Sequence, residues 1–233
     1  FKFLHISSCF PRKGIDGLLN AYGKAFDKND DVILTIKTFK NEHNNIEELI
    51  NKYKTKFNNF PNLLLIDNDL TNQEITDLYL QSDALVIPSF GEGFGFPIGE
   101  AMKLGLPVIT TKWGGQTDYC NDQNSWLIDY EFKYSLSHFS INNSVWAQPS
   151  ISHLSTLLKE VYSASPLEIS MKTNEAKKTI SNYKWSTVAK KNYEFVNSLK
   201  INNSYLTPRI GWITTWNKRC GIASYSKNLL SFF

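Results

Sequence analysis

Ala84-Leu85-Val86-Ile87-Pro88 leads into Ser89-Phe90-Gly91-Glu92-Gly93-Phe94-Gly95-Phe96-Pro97-Ile98-Gly99-Glu100-Ala101-Met102, and this stretch decides the fold. The first five residues are an apolar run with the length of a buried strand. Pro97 suits the opening of a helix, because its fixed φ fits there and its missing N–H would have no intrahelical partner anyway. The order is therefore strand, glycine-rich turn, helix. Such a turn presents backbone N–H groups beside a helix N-terminus, which is a seat for phosphate. Gly93 and Gly95 let the backbone come close to a ligand. Glu92 lies in the loop, and Glu100 is expected in the first helical turn. A carboxylate accepts bonds from two neighbouring hydroxyls, so either can hold a ribose or hexose diol.

Upstream, Phe1-Lys2-Phe3-Leu4-His5-Ile6 reads as a strand and Ser7 to Gly14 as a turn. Ile15, Leu18, Leu19, Tyr22 and Phe26 then share one helical face. Arg12 and Lys13 thus sit at a strand-to-helix turn, where two cations can neutralise a diphosphate without a metal. Further strands are read at Val32–Lys37, Asn62–Ile66, Pro107–Thr111 and Ser125–Asp129. Helices lie between them, one opened by a Thr71–Glu74 capping box. Asp67-Asn68-Asp69 has the form of a metal-binding Asp-x-Asp, but acidic residues are common in strand-to-helix loops and the surrounding pattern does not support it. Trp113-Gly114-Gly115-Gln116-Thr117-Asp118 reads as a turn. Residues 130 to 149 are expected to be an irregular surface segment, and three helices are expected near 151–163, 167–180 and 185–199.

Alternating strands and amphipathic helices over about 130 residues imply a doubly wound, Rossmann-like parallel sheet with helices on both faces. Ligands of such sheets bind at the carboxyl ends of the strands. The turns at Arg12-Lys13 and at Gly93–Gly95 both lie at such ends and can converge on one diphosphate.

The chain has 233 residues, is 42% hydrophobic and 20% charged, and carries a net charge of +3. That composition is ordinary for a globular chain. The charge is too small to argue for nucleic acid, and it allows only a weak, peripheral attraction to an anionic membrane surface. Cys9, Cys120 and Cys220 have neither metal nor redox spacing, which points to reduced thiols and a cytoplasmic setting. The sequons at Asn142 and Asn202 are read as chance in an Asn-rich chain. No apolar run reaches the ~18 residues of a membrane helix. The chain opens inside a strand without Met, as a piece of a longer protein would.

The string from Glu92 through Gly93-Phe94-Gly95-Phe96-Pro97 to Glu100-Ala101-Met102 resembles the signature of the family 4 (group 1) glycosyltransferases. The resemblance covers roughly residues 1 to 199. It implies one half of a GT-B fold, the C-terminal domain that binds a nucleotide diphosphate sugar, with a helical C-terminal end. It also implies retaining transfer of a sugar to a saccharide or lipid-linked acceptor held by an N-terminal domain that this chain lacks, without metal or other cofactor, in a setting such as polysaccharide biosynthesis. Lys13 matches the family's diphosphate-binding lysine. The family's usual Gly-Arg pair falls on Ser7-Ser8, so its arginine is missing, and Arg12 supplies the second charge as in the branch with Pro-Arg-Lys before the helix. Glu92 and Lys13 are then the catalytic pair. Glu92 meets hydroxyls of the donor sugar, backbone N–H groups of Gly93, Phe94, Gly95 and Phe96 assist at the diphosphate, and Glu100 binds the ribose.

Residues 200–207 read as a linker. Arg209–Trp216 reads as a new strand, Cys220–Ala223 as a loop and Tyr225–Phe233 as the start of a helix. Together, 208–233 resemble the opening of a second, tandem GT-B N-terminal domain. Other readings of the chain are a GT-B isomerase acting on a nucleotide sugar, a non-catalytic binding module in a larger protein, and a retaining glycosidase. The last needs two carboxylates ~5 Å apart across a sugar and has no use for Lys13 beside a phosphate-type turn.

Overall fold

The computed structural model describes residues 1–135, 143–198 and 221–231. It divides into two compact units, Phe1–Ile180 and Ser181–Phe233. The expected linker at 200–207 and strand at 209–216 lie outside the described residues.

The first unit opens with β1 (Lys2–Ile6), α1 (Ile15–Ala25), β2 (Ile33–Lys37), α2 (Ile46–Lys56) and β3 (Asn62–Ile66). It continues through α3 (Asn72–Leu80), β4 (Ala84–Ile87), α4 (Phe96–Leu104), β5 (Val108–Thr111) and β6 (Trp126–Ile128). A six-stranded sheet results, in the order β3-β2-β1-β4-β5-β6, with every neighbouring pair parallel. That is the doubly wound order, with its switch point between β1 and β4.

Adjacent residues of the central strands go to opposite sides, as the period of 2 requires. Phe3, Val86 and Ile109 pack in one core with Leu18, Leu19 and Tyr22 of α1. Leu4, Leu85, Ile87 and Val108 pack in another with Ile98 and Met102 of α4. The sheet is therefore covered on both faces. The expected capping box is present: Thr71 accepts from the Glu74 backbone N–H, and the Glu74 side chain accepts from the backbone N–H of Thr71.

Residues 130 to 149 correct the expectation of an irregular segment. β7 (Tyr130–Tyr134) and β8 (Val145–Pro149) form an antiparallel pair, with Tyr130 opposite Pro149 and Tyr134 opposite Val145. Tyr130, Phe132 and Tyr134 alternate with Glu131 and Lys133, a half-charged pattern unlike the apolar runs by which the sheet strands were read. α5 (Ile151–Ser163) and α6 (Pro166–Ile180) complete this unit.

The second unit contains α7 (Trp185–Ser198) and α8 (Gly221–Leu230). α8 already includes Gly221, Ile222 and Ala223, which were expected in a loop. A third correction concerns Glu100. α4 begins at Phe96, so Glu100 falls in its second turn, and the first turn holds no acidic residue.

Candidate functional site

The loops after β1 and β4 are laid against each other, backbone to backbone. Pro11–Lys13 form a single 3-10 turn, and Gly14 ends it at φ +72° before α1 begins. A Cβ on Gly14 would lie 2.0 Å from the carbonyl oxygen of Pro88, so only glycine fits the approach. The Phe90 N–H donates to the Arg12 carbonyl at 2.8 Å.

This contact brings Lys13 onto Glu92. The Lys13 Nζ lies 2.5 Å from Glu92 Oε1, and both side chains are largely buried. Ser89 Oγ donates to the same carboxylate oxygen at 2.6 Å. Arg12 donates to the Gly91 carbonyl at 3.2 Å and stands 3.9 Å from Glu92 Oε2, with its side chain partly in solvent. Burial pushes the Lys13 ammonium below the usual lysine range; Glu92 pulls it back up and Arg12 adds to the lowering.

Beneath the pair lies His5, fully buried on β1. Its Nδ1 is 2.7 Å from the Val86 carbonyl and its Nε2 is 2.7 Å from Ser7 Oγ. A carbonyl only accepts, so the proton sits on Nδ1, and Nε2 accepts from the Ser7 hydroxyl. Burial lowers the pKa of His5 to about 4, against the opposing pull of the Val86 carbonyl, and the ring is neutral. Ser7 Oγ also accepts from the Cys9 N–H at 3.0 Å, which holds the start of the cationic loop.

Glu100 stands apart from Glu92, one turn into α4. The residue is exposed, but its carboxyl end rests on buried Tyr79, whose hydroxyl donates to Oε2 at 2.8 Å. Burial of the carboxyl raises its pKa, and the Tyr79 bond opposes the rise.

Gly95, at φ +79°, caps the N-terminus of α4, and the Tyr119 hydroxyl reaches the carbonyls of Phe94 and Gly95. A Cβ on Gly93 would meet nothing within 4 Å, so the space above it is open. The Gly114-Gly115 turn docks on this loop from the other side. The Gly115 N–H donates to the Glu92 carbonyl at 2.8 Å, and a Cβ there would fall 1.6 Å from the Gly93 carbonyl oxygen. Buried Gln116 secures the turn by donating to the carbonyls of Thr111 and Trp113.

The structure thus brings Arg12, Lys13 and Glu92 together, with Gly93 to Phe96 beside them. Ser89, His5 and Tyr79 were not singled out as site residues from the sequence. None of the three carried a signal of its own. Asp67 pairs with Lys40 at 3.5 Å, and among the described residues no group of three His, Cys, Asp or Glu is placed to share a metal ion.

A parallel sheet in this order, with a cationic turn and a glycine loop at its switch point, defines a nucleotide-binding half of the GT-B type. The model of the glycosyl transferases group 1 family matches residues 1–133, more than half the chain, and the chain belongs to that family. It is 29% identical over 133 residues to the GtfA subunit of a UDP-N-acetylglucosamine–peptide N-acetylglucosaminyltransferase from Streptococcus agalactiae, over 56% of this chain and 25% of that protein. It is 31% identical over 107 residues to the serotype-specific mannosyltransferase WbdA of Escherichia coli, over 46% of this chain and 13% of that protein. The matched stretch spans a quarter or less of these curated relatives.

Among solved structures, Anabaena HepE in complex with UDP and glucose superposes with a TM-score of 0.64 at 20% identity, over 85% of this chain and 48% of that one. The C-terminal domain of a Francisella tularensis group 1 glycosyl transferase, LpcC, superposes with a TM-score of 0.61 at 18% identity, over 78% and 85%. These likenesses establish the fold.

Proposed function

We propose that this chain is the donor-binding half of a retaining hexosyltransferase, which moves a sugar from a nucleotide diphosphate to a saccharide or lipid-linked acceptor. The observation that carries the reading is the meeting of Lys13, Glu92 and Ser89 at the carboxyl ends of β1 and β4. An ammonium group held largely out of water beside an open glycine loop is what a diphosphate needs.

In this reading the Lys13–Glu92 pair parts when donor enters. Lys13 moves to the diphosphate with Arg12, and Glu92 is left to accept bonds from hydroxyls of the sugar. Glu100, steadied by Tyr79, takes the two ribose hydroxyls. The bond between the sugar's anomeric carbon and the β-phosphate oxygen then breaks, and the acceptor oxygen bonds to that carbon on the same face. The acceptor's proton passes to the leaving phosphate. Charge grows on the diphosphate as it leaves, and Lys13 and the N-terminus of α4 stabilise it. Losing one such preorganised donor typically costs about 10²–10³ in kcat.

Under the same proposal no metal takes part. Residues 1–199 form the donor domain. The work belongs to polysaccharide assembly at the cytoplasmic side of a membrane. The reading is supported by the named activities of the relatives, which are N-acetylglucosaminyl and mannosyl transfer.

NMR of the product formed by the full-length protein is the test. The transferred sugar should keep the donor's anomeric configuration. An inverted product would contradict the retaining assignment, and nucleotide binding with no transfer to any acceptor would contradict the enzyme.

A further inference from the structure

The β7–β8 hairpin carries aromatic side chains that the nucleotide site does not use. Tyr130, Phe132 and Tyr134 share one face of β7, while Glu131 and Lys133 share the other and pair with each other at 3.3 Å. Trp113, from the loop after β5, joins the aromatic face. Its ring centroid lies 5.6 Å from Tyr130 and 4.8 Å from Phe132, edge-on to the latter, and Tyr130 and Phe132 are 5.3 Å apart. Large apolar rings clustered this way normally bury most of their area, yet Trp113 is 44% exposed, Phe132 54% and Tyr134 73%.

Both supports of this cluster are tied to the loop that holds Glu92. The Ala147 N–H of β8 donates to the Phe90 carbonyl at 3.2 Å, and the Trp146 ring stands edge-on to Phe90 at 4.6 Å. On the other side, Gly114 directly follows Trp113, and a Cβ there would sit 3.1 Å from the Glu92 backbone nitrogen. The open rings are therefore held in place next to the position where sugar chemistry is proposed.

We infer that Trp113, Phe132 and Tyr134 form a stacking platform for the acceptor saccharide, on which sugar rings beyond the reacting one rest. The inference rests on the transferase reading above, because it is the neighbouring Glu92 loop that makes a sugar the occupant. The chemistry of the face agrees with this. A pyranose offers one face of C–H groups to an aromatic ring and its hydroxyls to the rim. The charged residues of the strand, Glu131 and Lys133, are turned to the opposite side, which suits a neutral ligand.

Saturation-transfer NMR and tryptophan fluorescence on the 233-residue chain would test this, with neutral hexasaccharides of glucose, mannose and N-acetylglucosamine as probes. At least one probe should bind, with affinity at least tenfold weaker in Trp113→Ala and Phe132→Ala and within twofold of the original in Trp113→Tyr. Tyr134→Ala serves as a second variant, since so exposed a ring can be removed without disturbing the packing; it should also weaken binding. The thermal shift produced by whichever of UDP, GDP and ADP stabilises the chain should be unchanged in all four. The platform is overturned if no hexasaccharide binds, or if binding is indifferent to the alanine variants. It is equally overturned if the face instead drives self-association or attachment to phosphatidylcholine vesicles, abolished in Phe132→Ala, with no saccharide effect. Saccharide binding with the stated pattern but no nucleotide shift would sink the donor reading and leave the platform standing.

Discussion

Lys13 occupies a position where three groups compete for its charge. Burial disfavours the ammonium, Arg12 beside it does the same, and Glu92 at 2.5 Å opposes both without cancelling them. The pair was legible in the sequence because both residues belong to turns whose form is local, a Pro-Arg-Lys turn and a glycine loop. His5 was not, because its role depends on which strands become neighbours. His5 is held by the Val86 carbonyl, 81 residues away, and its effect on stability has a definite sign. Its folded pKa, about 4, lies below the 6.5 of the unfolded chain. Between those values the unfolded chain binds the extra proton, so stability rises with pH through that window and falls as the solution is acidified. Above the unfolded value His5 imposes no cost; below about 4 the cost is complete. From about pH 7.5 to pH 5 the loss from this group should be about 2 kcal/mol. Urea unfolding at the two pH values should show that loss in the original chain and much less of it in His5→Asn. Equal losses in both would place the titration elsewhere.

At the scale of elements, the site is made by loops that touch without side chains between them. Gly14 against Pro88 joins the β1 loop to the β4 loop, and Gly115 against Gly93 joins the β5 turn to the same loop. Each contact needs a missing Cβ, so each glycine carries information that strand and helix periodicity does not. The sequence marked both as turn glycines but could not say what they abut. Gly115→Ala is the sharper probe, since its new carbon would fall 1.6 Å from a carbonyl oxygen. The turn must then lift off the Glu92 loop. Denaturation should show a loss of about 2 kcal/mol or more, with nucleotide binding weakened beyond what stability explains. A variant as stable as the original would mean that the turn is not docked as observed. The β7–β8 hairpin escaped notice for a different reason. Its alternation spans five residues, and its place is fixed by the Ala147–Phe90 bond rather than by any feature of its own sequence.

For the whole molecule, the long-range order was the most legible part. Strand–helix alternation gave the parallel sheet, and the sheet order then puts the switch point between β1 and β4. Both motif-bearing turns follow those two strands, so the topology alone brings them to one end of the sheet. The family resemblance implied a division of labour between the two acidic residues, but the sequence could not supply their surroundings. Glu92 is locked into a cation pair, while Glu100 rests on a tyrosine hydroxyl. The account assigns them to different parts of one ligand, the sugar and the ribose. A thermal-shift series of the chain with UDP, GDP, ADP and their sugar conjugates, repeated for Lys13→Ala and Glu100→Ala, tests that assignment most directly. At about 100 times the dissociation constant, the matching nucleotide should add about 2.7 kcal/mol of stability. The account predicts a shift with one base, lost in both variants. A shift that survives both substitutions, or none with any nucleotide, would contradict it.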